Sequence, residues 1–124
     1  MKCMSFNCRG LASASKKLAL QRLVEVDSID IILLQETLGP AELITRSLQS
    51  LVPRWNFVAF IAKGRSGGLA MDFNQKHINI IGSWGLDLVL GEDIFSSDLG
   101  KKLKVINIYG LYQDRMIFWD ALLD

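Results

Sequence analysis

Asp30-Ile31-Ile32-Leu33-Leu34-Gln35-Glu36-Thr37 is the stretch that decides the fold class. An aliphatic run without polar alternation reads as a strand buried on both faces, so the first charge after it, Glu36, marks where the chain leaves the core. A carboxylate held there by a rigid strand suits a hard cation such as Mg²⁺, which takes oxygen ligands and needs few protein carboxylates. Leu34-Gln35-Glu36-Thr37 taken alone is explained as readily by a strand that ends in solvent. The flanking segments discriminate between the two.

Upstream, residues 1–7 suit a short strand and 9–13 a loop, after which Ser13 or Ser15 is placed to cap a helix. That helix is expected to run to about Val26, with Ala19, Leu20, Leu23, Val24 and Val26 on its apolar face and Lys16, Lys17, Arg22 and Glu25 in water. The strand over 30–35 completes a β-α-β unit, whose strands run parallel and end at one edge. Asn7 and Glu36 should therefore be neighbours. Downstream, Pro40 opens a second helix with Leu43, Ile44, Leu48, Leu51 and Val52 on its apolar face, and Pro53 stops it. Strands are then expected over 55–62 and 67–73 around a Lys63-Gly64-Arg65-Ser66 hairpin loop, and over 77–81, 86–90 and 103–109. Residues 114–123 read as a final helix. There is no repeat, linker or low-complexity tract.

The chain has 124 residues, enough for one domain with a core and too few for two. Half of them are hydrophobic, and the mean hydropathy of +0.25 is high for a chain with 22% charged residues, which implies apolar surface lacking its natural cover. Asp27, Asp30, Gln35 and Glu36 interrupt the strongest candidate for a membrane span, so no membrane role is expected. The first residues lack the apolar core of a secretory signal, and the expected location is intracellular. Fourteen basic against 13 acidic residues leave a net charge of +1, which neither supports nor excludes a nucleic-acid partner. Cys3 and Cys8 lack the spacing of a zinc or redox pair and read as free thiols.

Three polar residues close separate strands. Asn7 can orient a phosphate or hold the Glu36 carboxylate, or can satisfy its own turn. Tyr109, after Val105-Ile106-Asn107-Ile108 and before Gly110, can donate to a phosphate oxygen or pack on the rim. Their shared place at strand C-termini, where α/β folds tend to put sites, favours the functional reading of the set. Gly64-Arg65-Ser66-Gly67-Gly68 lacks the Lys and the helix of a phosphate-binding loop and reads as a hairpin turn. His77, the single histidine, has no ligand or triad partner at useful spacing and reads as structural.

Ser5-Phe6-Asn7-Cys8-Arg9-Gly10-Leu11, Leu34-Gln35-Glu36-Thr37, Ser66-Gly67-Gly68-Leu69-Ala70 and Ile108-Tyr109-Gly110, with Arg115 and Phe118-Trp119, resemble the endonuclease/exonuclease/phosphatase superfamily. Within it they look most like the endonuclease of plant LINE-type retrotransposons. The resemblance implies the N-terminal portion of a four-layer α/β sandwich, Mg²⁺- or Mn²⁺-dependent hydrolysis of phosphate esters, and DNA as partner, in the nucleus if the chain is retroelement-derived. It implies Asn7 as an active-site amide, Glu36 as the metal ligand and Tyr109 as a phosphate-contacting hydroxyl. The family's Gly-Asp-x-Asn segment and late Asp-His pair have no counterpart, and Asp72-Phe73-Asn74 stands in the wrong order to replace the former.

The expectation is thus a single domain over 1–124, truncated at its C-terminal side, resembling a DNA endonuclease and weak or inactive alone. A phosphatase or phosphodiesterase of the same superfamily acting on a small phosphorylated substrate is the enzymatic alternative. A non-catalytic protein-binding fragment is the other. Either way, an uncovered sheet face is expected to promote self-association.

Overall fold

The computed structural model describes residues 1–11, 13–60, 67–86 and 88–109. Within them the order is β1 (Cys3–Asn7), α1 (Ala14–Asp27), β2 (Ile31–Gln35), α2 (Ala41–Leu51), β3 (Asn56–Phe60), β4 (Leu69–Phe73), β5 (Ile78–Leu86), β6 (Val89–Ser96) and β7 (Lys101–Ile108). The strands form two sheets, one ordered β1-β2-β4-β3 and the other β5-β6-β7. β1 and β2 run parallel with Asn7 opposite Gln35, as the β-α-β reading requires. The expected hairpin loop over 63–66, the end of the 55–62 strand and the 114–123 helix lie outside the described residues.

The non-alternating run in β2 has a direct physical cause. Ile32 and Leu34 face the helices, packing with Leu20, Ile44, Leu48 and Leu51, whereas Ile31 and Leu33 face the second sheet, packing with Ile78, Leu90 and Ile94. Both faces of the strand are therefore dry, and neither tolerates a polar residue cheaply. The described layers are helices, sheet and sheet, with the two sheets face to face as in a sandwich.

The helices differ in how well they match their sequence pattern. α2 buries Ile44, Leu48 and Leu51 as expected, and ends before Pro53. α1 fully buries only Leu20; Leu23 is exposed and Val26 is 80% exposed, so the broad apolar face expected there is narrowed to Leu20 and partly buried Val24. Ser13 does occupy the N-cap position, but no side-chain cap bond forms, because its hydroxyl pairs with the Ser15 hydroxyl at 2.9 Å.

The expected strands over 77–81 and 86–90 are corrected to β5 and β6, which pair antiparallel from Ile78 opposite Ser96 to Leu86 opposite Val89. Gly82 and Gly85 read in the sequence as breakers. In the structure Gly82 follows a register shift after Ile80, and Gly85 is where the Phe60 ring of the other sheet lies on the backbone. Trp84 covers its cross-strand partner Gly91 in the same way. The outer face of this sheet carries exposed Trp84 and Ile106, with Ile81 exposed at the bulge. Among the described residues, no helix is long and apolar enough to cross a membrane.

Candidate active site

The parallel pairing of β1 and β2 delivers Asn7 and Glu36 to one edge of the first sheet, and β7 delivers Tyr109 to the same place from the second. Tyr109 is tied down by its own amide, which donates to the Leu88 carbonyl at 2.9 Å. Its hydroxyl donates to Oε1 of Glu36 at 2.8 Å. Two of the three residues singled out in the sequence are thus in direct contact across the sheets. The bond engages one of the two carboxylate oxygens.

Glu36 lies just past the strand with φ +54, a left-handed conformation uncommon for a residue with a side chain. Arg9 and Leu38 share it, with φ +45 and +46. Such conformations persist where surroundings over-determine them. Here the Cys8 amide donates to the Gln35 carbonyl at 2.9 Å, Gly10 to Glu36 at 2.8 Å and Leu11 to Thr37 at 3.0 Å. The amides of Thr37 and Leu38 donate in turn to the carbonyls of Gly68 and Gly67, at 3.3 and 3.4 Å, which explains why a Gly-Gly pair precedes β4: both residues have φ near +90. Lys16 completes the lock, its Nζ donating to the carbonyls of Cys8, Arg9 and Gly10 at 2.7, 3.1 and 3.4 Å.

Asn7 is exposed, and its Oδ1 accepts from the Arg9 amide at 3.2 Å. That bond shapes the loop; it does not join Asn7 to Glu36. In the ladder Asn7 stands opposite Gln35, one position before Glu36.

Cys8 is buried, and its thiol donates to the Gln35 and Glu36 carbonyls at 3.1 and 3.5 Å. Burial pushes its pKa up, so it serves as a neutral donor. Cys3 is also free, and exposed. His77 pairs with Asp98 at 3.1 Å on a strand-connecting turn, the structural role read for it.

Sequence reasoning missed Gln35 and Asn107. Asn107 is buried in the sheet-sheet interface and bonds to Gln35 and to two backbone carbonyls of the first sheet. Its signal was present: period-two alternation puts Asn107 on the face shared by Val105 and Tyr109, where an amide must find partners. Asp72 is elsewhere. It alternates with Ala70 toward the helices, opposite Ile32 and Phe57, and both its oxygens are buried without a hydrogen-bond partner. Burial raises its pKa from 3.8 to about 8, the Phe73 amide opposing only part of the effect. A neutral acid under the sheet, four residues back along the ladder from Glu36, takes no part in this site.

The donor set at the edge is limited. Among the described residues, no three or more His, Cys, Asp or Glu side chains gather where they could hold a metal. Mg²⁺ keeps several waters and is commonly held by one or two carboxylates together with substrate phosphate, so one partly exposed glutamate fits a weak site of that kind.

No protein-family model matches the chain, and no curated protein matches it by sequence. Solved structures do match by shape. An endonuclease/exonuclease/phosphatase family protein from Bacteroides thetaiotaomicron superposes with a TM-score of 0.71 at 13% identity, covering 98% of this chain and 54% of its own. A mannosyl-6-phosphatase of the same bacterium gives 0.70 at 12%, covering 97% and 58%. TDP2 of D. rerio, complexed with a single-strand DNA product, gives 0.71 at 16%, covering 97% and 52%. The chain spans a little over half the length of each. At these identities the likeness concerns the fold: α/β, with the arrangement of the N-terminal portion of the endonuclease/exonuclease/phosphatase sandwich.

Proposed function

We propose that this chain is a portion of a divalent-metal-dependent phosphate-ester hydrolase of the endonuclease/exonuclease/phosphatase type, with DNA as substrate and weak or no activity alone. The observation that carries the reading is the Tyr109–Glu36 bond, which closes a polar site across two sheets at the strand ends. Glu36 holds Mg²⁺ or Mn²⁺ through its carboxylate. When bound, the cation supplies Lewis-acid stabilisation of charge on phosphoryl oxygen. Tyr109 fixes the rotamer of Glu36 through its hydroxyl proton, and the same proton would turn from Oε1 to a phosphate oxygen once a cation takes up the carboxylate. Asn7, exposed at the rim, contributes an amide donor to the same phosphate.

These three residues bind and orient. None of them is a base matched to the attacking water, and general-base assistance typically contributes ~10²–10⁴-fold. Weak turnover follows from that shortage. The resemblance of the Ser5–Leu11 and Leu34–Thr37 segments to plant LINE endonucleases supports DNA, and the DNA-bound state of the TDP2 neighbour is compatible with it. The sugar phosphatase among the neighbours favours a small phosphorylated substrate as the second reading.

The test is a pair of assays at high protein concentration with Mg²⁺ or Mn²⁺: nicking of supercoiled plasmid, and phosphate release from a sugar phosphate. Metal-dependent nicking lost in Glu36→Gln supports the nuclease reading, and phosphate release lost in the same variant supports the second. Activity unchanged in Glu36→Gln contradicts both.

A further inference from the structure

Asn107 is 1% exposed, an amide set between two apolar sheet faces, where an unpaired polar group costs roughly 1–3 kcal/mol. Its carboxamide is fully engaged. Nδ2 donates to the carbonyls of Leu34 and Ala70, each at 3.0 Å, and those residues stand opposite each other in the β2–β4 ladder. Two carbonyls can only accept, so the nitrogen must face them and the oxygen must face away. Oδ1 accepts from Gln35 Nε2 at 2.8 Å, which fixes the Gln35 amide in turn, and the same Nε2 reaches Ser5 Oγ on β1 at 3.1 Å. One side chain of the second sheet therefore grips β2 and β4 directly and β1 through Gln35.

Tyr109 lies two residues further along the chain and faces the same way, so the two grips fall in register: Asn107 on Leu34 and Gln35, Tyr109 on Glu36. The left-handed backbone at Glu36 makes that support necessary, since the conformation costs a non-glycine residue about 1–2 kcal/mol. An apolar residue at 107 can fill the same space, but it sets neither the rotation of Gln35 nor the position of the carbonyls at the end of β2.

We propose that Asn107 is a positioning residue for the Glu36 site: its carboxamide fixes the end of β2 against β7, so that the Glu36 carboxylate meets a cation already oriented. The proposal rests on the reading of Glu36 as the cation ligand, and its test separates the two. The full chain is compared with Asn107→Leu, which keeps the branched heavy-atom shape and removes all three bonds, and with Gln35→Met, which removes the donor to Oδ1 together with the bond to Ser5 Oγ and leaves both Asn107 bonds to backbone in place. Glu36→Gln is the site control. Circular dichroism and urea midpoints establish folding, and Gln35→Met carries the test should Asn107→Leu not fold.

Two quantities are read: Tb³⁺ affinity by sensitised luminescence, and the Tyr109 Cζ resonance in metal-free, ¹³C-tyrosine-labelled protein, assigned with Tyr109→Phe. Folded variants should lose ~10–100-fold in Tb³⁺ affinity, the usual effect of removing an outer partner of a metal ligand, and should shift the Tyr109 resonance. Wild-type Tb³⁺ affinity in a folded variant, with Glu36→Gln having lost it, overturns the proposal while leaving Glu36 as ligand. If Glu36→Gln binds Tb³⁺ as tightly as wild type, the cation reading falls. The Tyr109 resonance then decides alone: an unmoved signal in the folded variants shows that Asn107 does not position Glu36.

Discussion

The hydroxyl of Tyr109 and Oε1 of Glu36 are 2.8 Å apart, and the bond between them joins the end of β7 in one sheet to the end of β2 in the other. A bond to a charged acceptor is worth ~1.5–3 kcal/mol when sheltered and less at a partly open edge. Tyr109→Phe should lower unfolding free energy by about 1 kcal/mol, read from the urea midpoint with an unchanged slope. It should also weaken cation binding, because Glu36 gains rotamer freedom. A Tyr109→Phe chain with unaltered stability and unaltered cation affinity would show that the bond organises nothing.

Asp72 predicts a pH dependence of opposite sign to ordinary acid unfolding. Between its usual pKa of 3.8 and the folded value of about 8, the folded state keeps a proton that the unfolded chain has released. Its contribution to stability therefore falls as pH rises, by up to ~1.4 kcal/mol per pH unit across that window, and is level on either side. Asp72→Leu removes the buried acid from a site lined by Ile32 and Phe57. The variant should match wild type near pH 4 and exceed it increasingly toward pH 8 in urea titrations. A constant difference between the two proteins at all pH values would contradict this.

Phe60 and Gly85 should be energetically coupled, since a Cβ at Gly85 would penetrate the Phe60 ring. Gly85→Ala is expected to cost ~1–3 kcal/mol through overpacking between the sheets. Combining it with Phe60→Ala should recover part of that cost, giving a non-additive cycle. Additive losses would mean that the ring and the glycine do not meet in solution.

Exposed Trp84 and Ile106 lie on one sheet face, with Ile81 exposed at the bulge, and sedimentation velocity should show association that grows with protein concentration. Ile106→Lys should suppress it. Lys102 and Lys104 alternate with Ile106 onto the same face, so like charge opposes the apolar contact and the association should strengthen with added salt. A monomer at every concentration would contradict the expectation.

The sequence was most legible where one residue type answers to one environment. Ile31 to Leu34 lack alternation because both sides of β2 are covered, and the β-α-β handedness then places Asn7 beside Gln35 without further information. Glycine was harder to read. Gly82 and Gly85 suggested breaks, yet they continue a nine-residue strand by admitting a bulge and the ring of Phe60. Ring placement across sheets is a tertiary fact that no local pattern carries. Asn107 is a mixed case: alternation with Val105 and Tyr109 marks it as inward-facing, but no local pattern names its partners, which are 73 and 37 residues away along the chain. The exposed flank of α1 shows the converse, as Leu23 and Val26 fall at helical spacing but meet no neighbouring layer.

Water-proton relaxation with Mn²⁺ tests the central claim most directly, because it reports the cation without requiring turnover. Wild-type chain should bind Mn²⁺ weakly, as suits a site with one carboxylate, and Glu36→Gln should abolish the enhancement, a neutral amide being a far poorer partner for a hard dication. Equal enhancement in wild type and in folded Glu36→Gln would contradict the account, placing the cation away from the Tyr109–Glu36 pair.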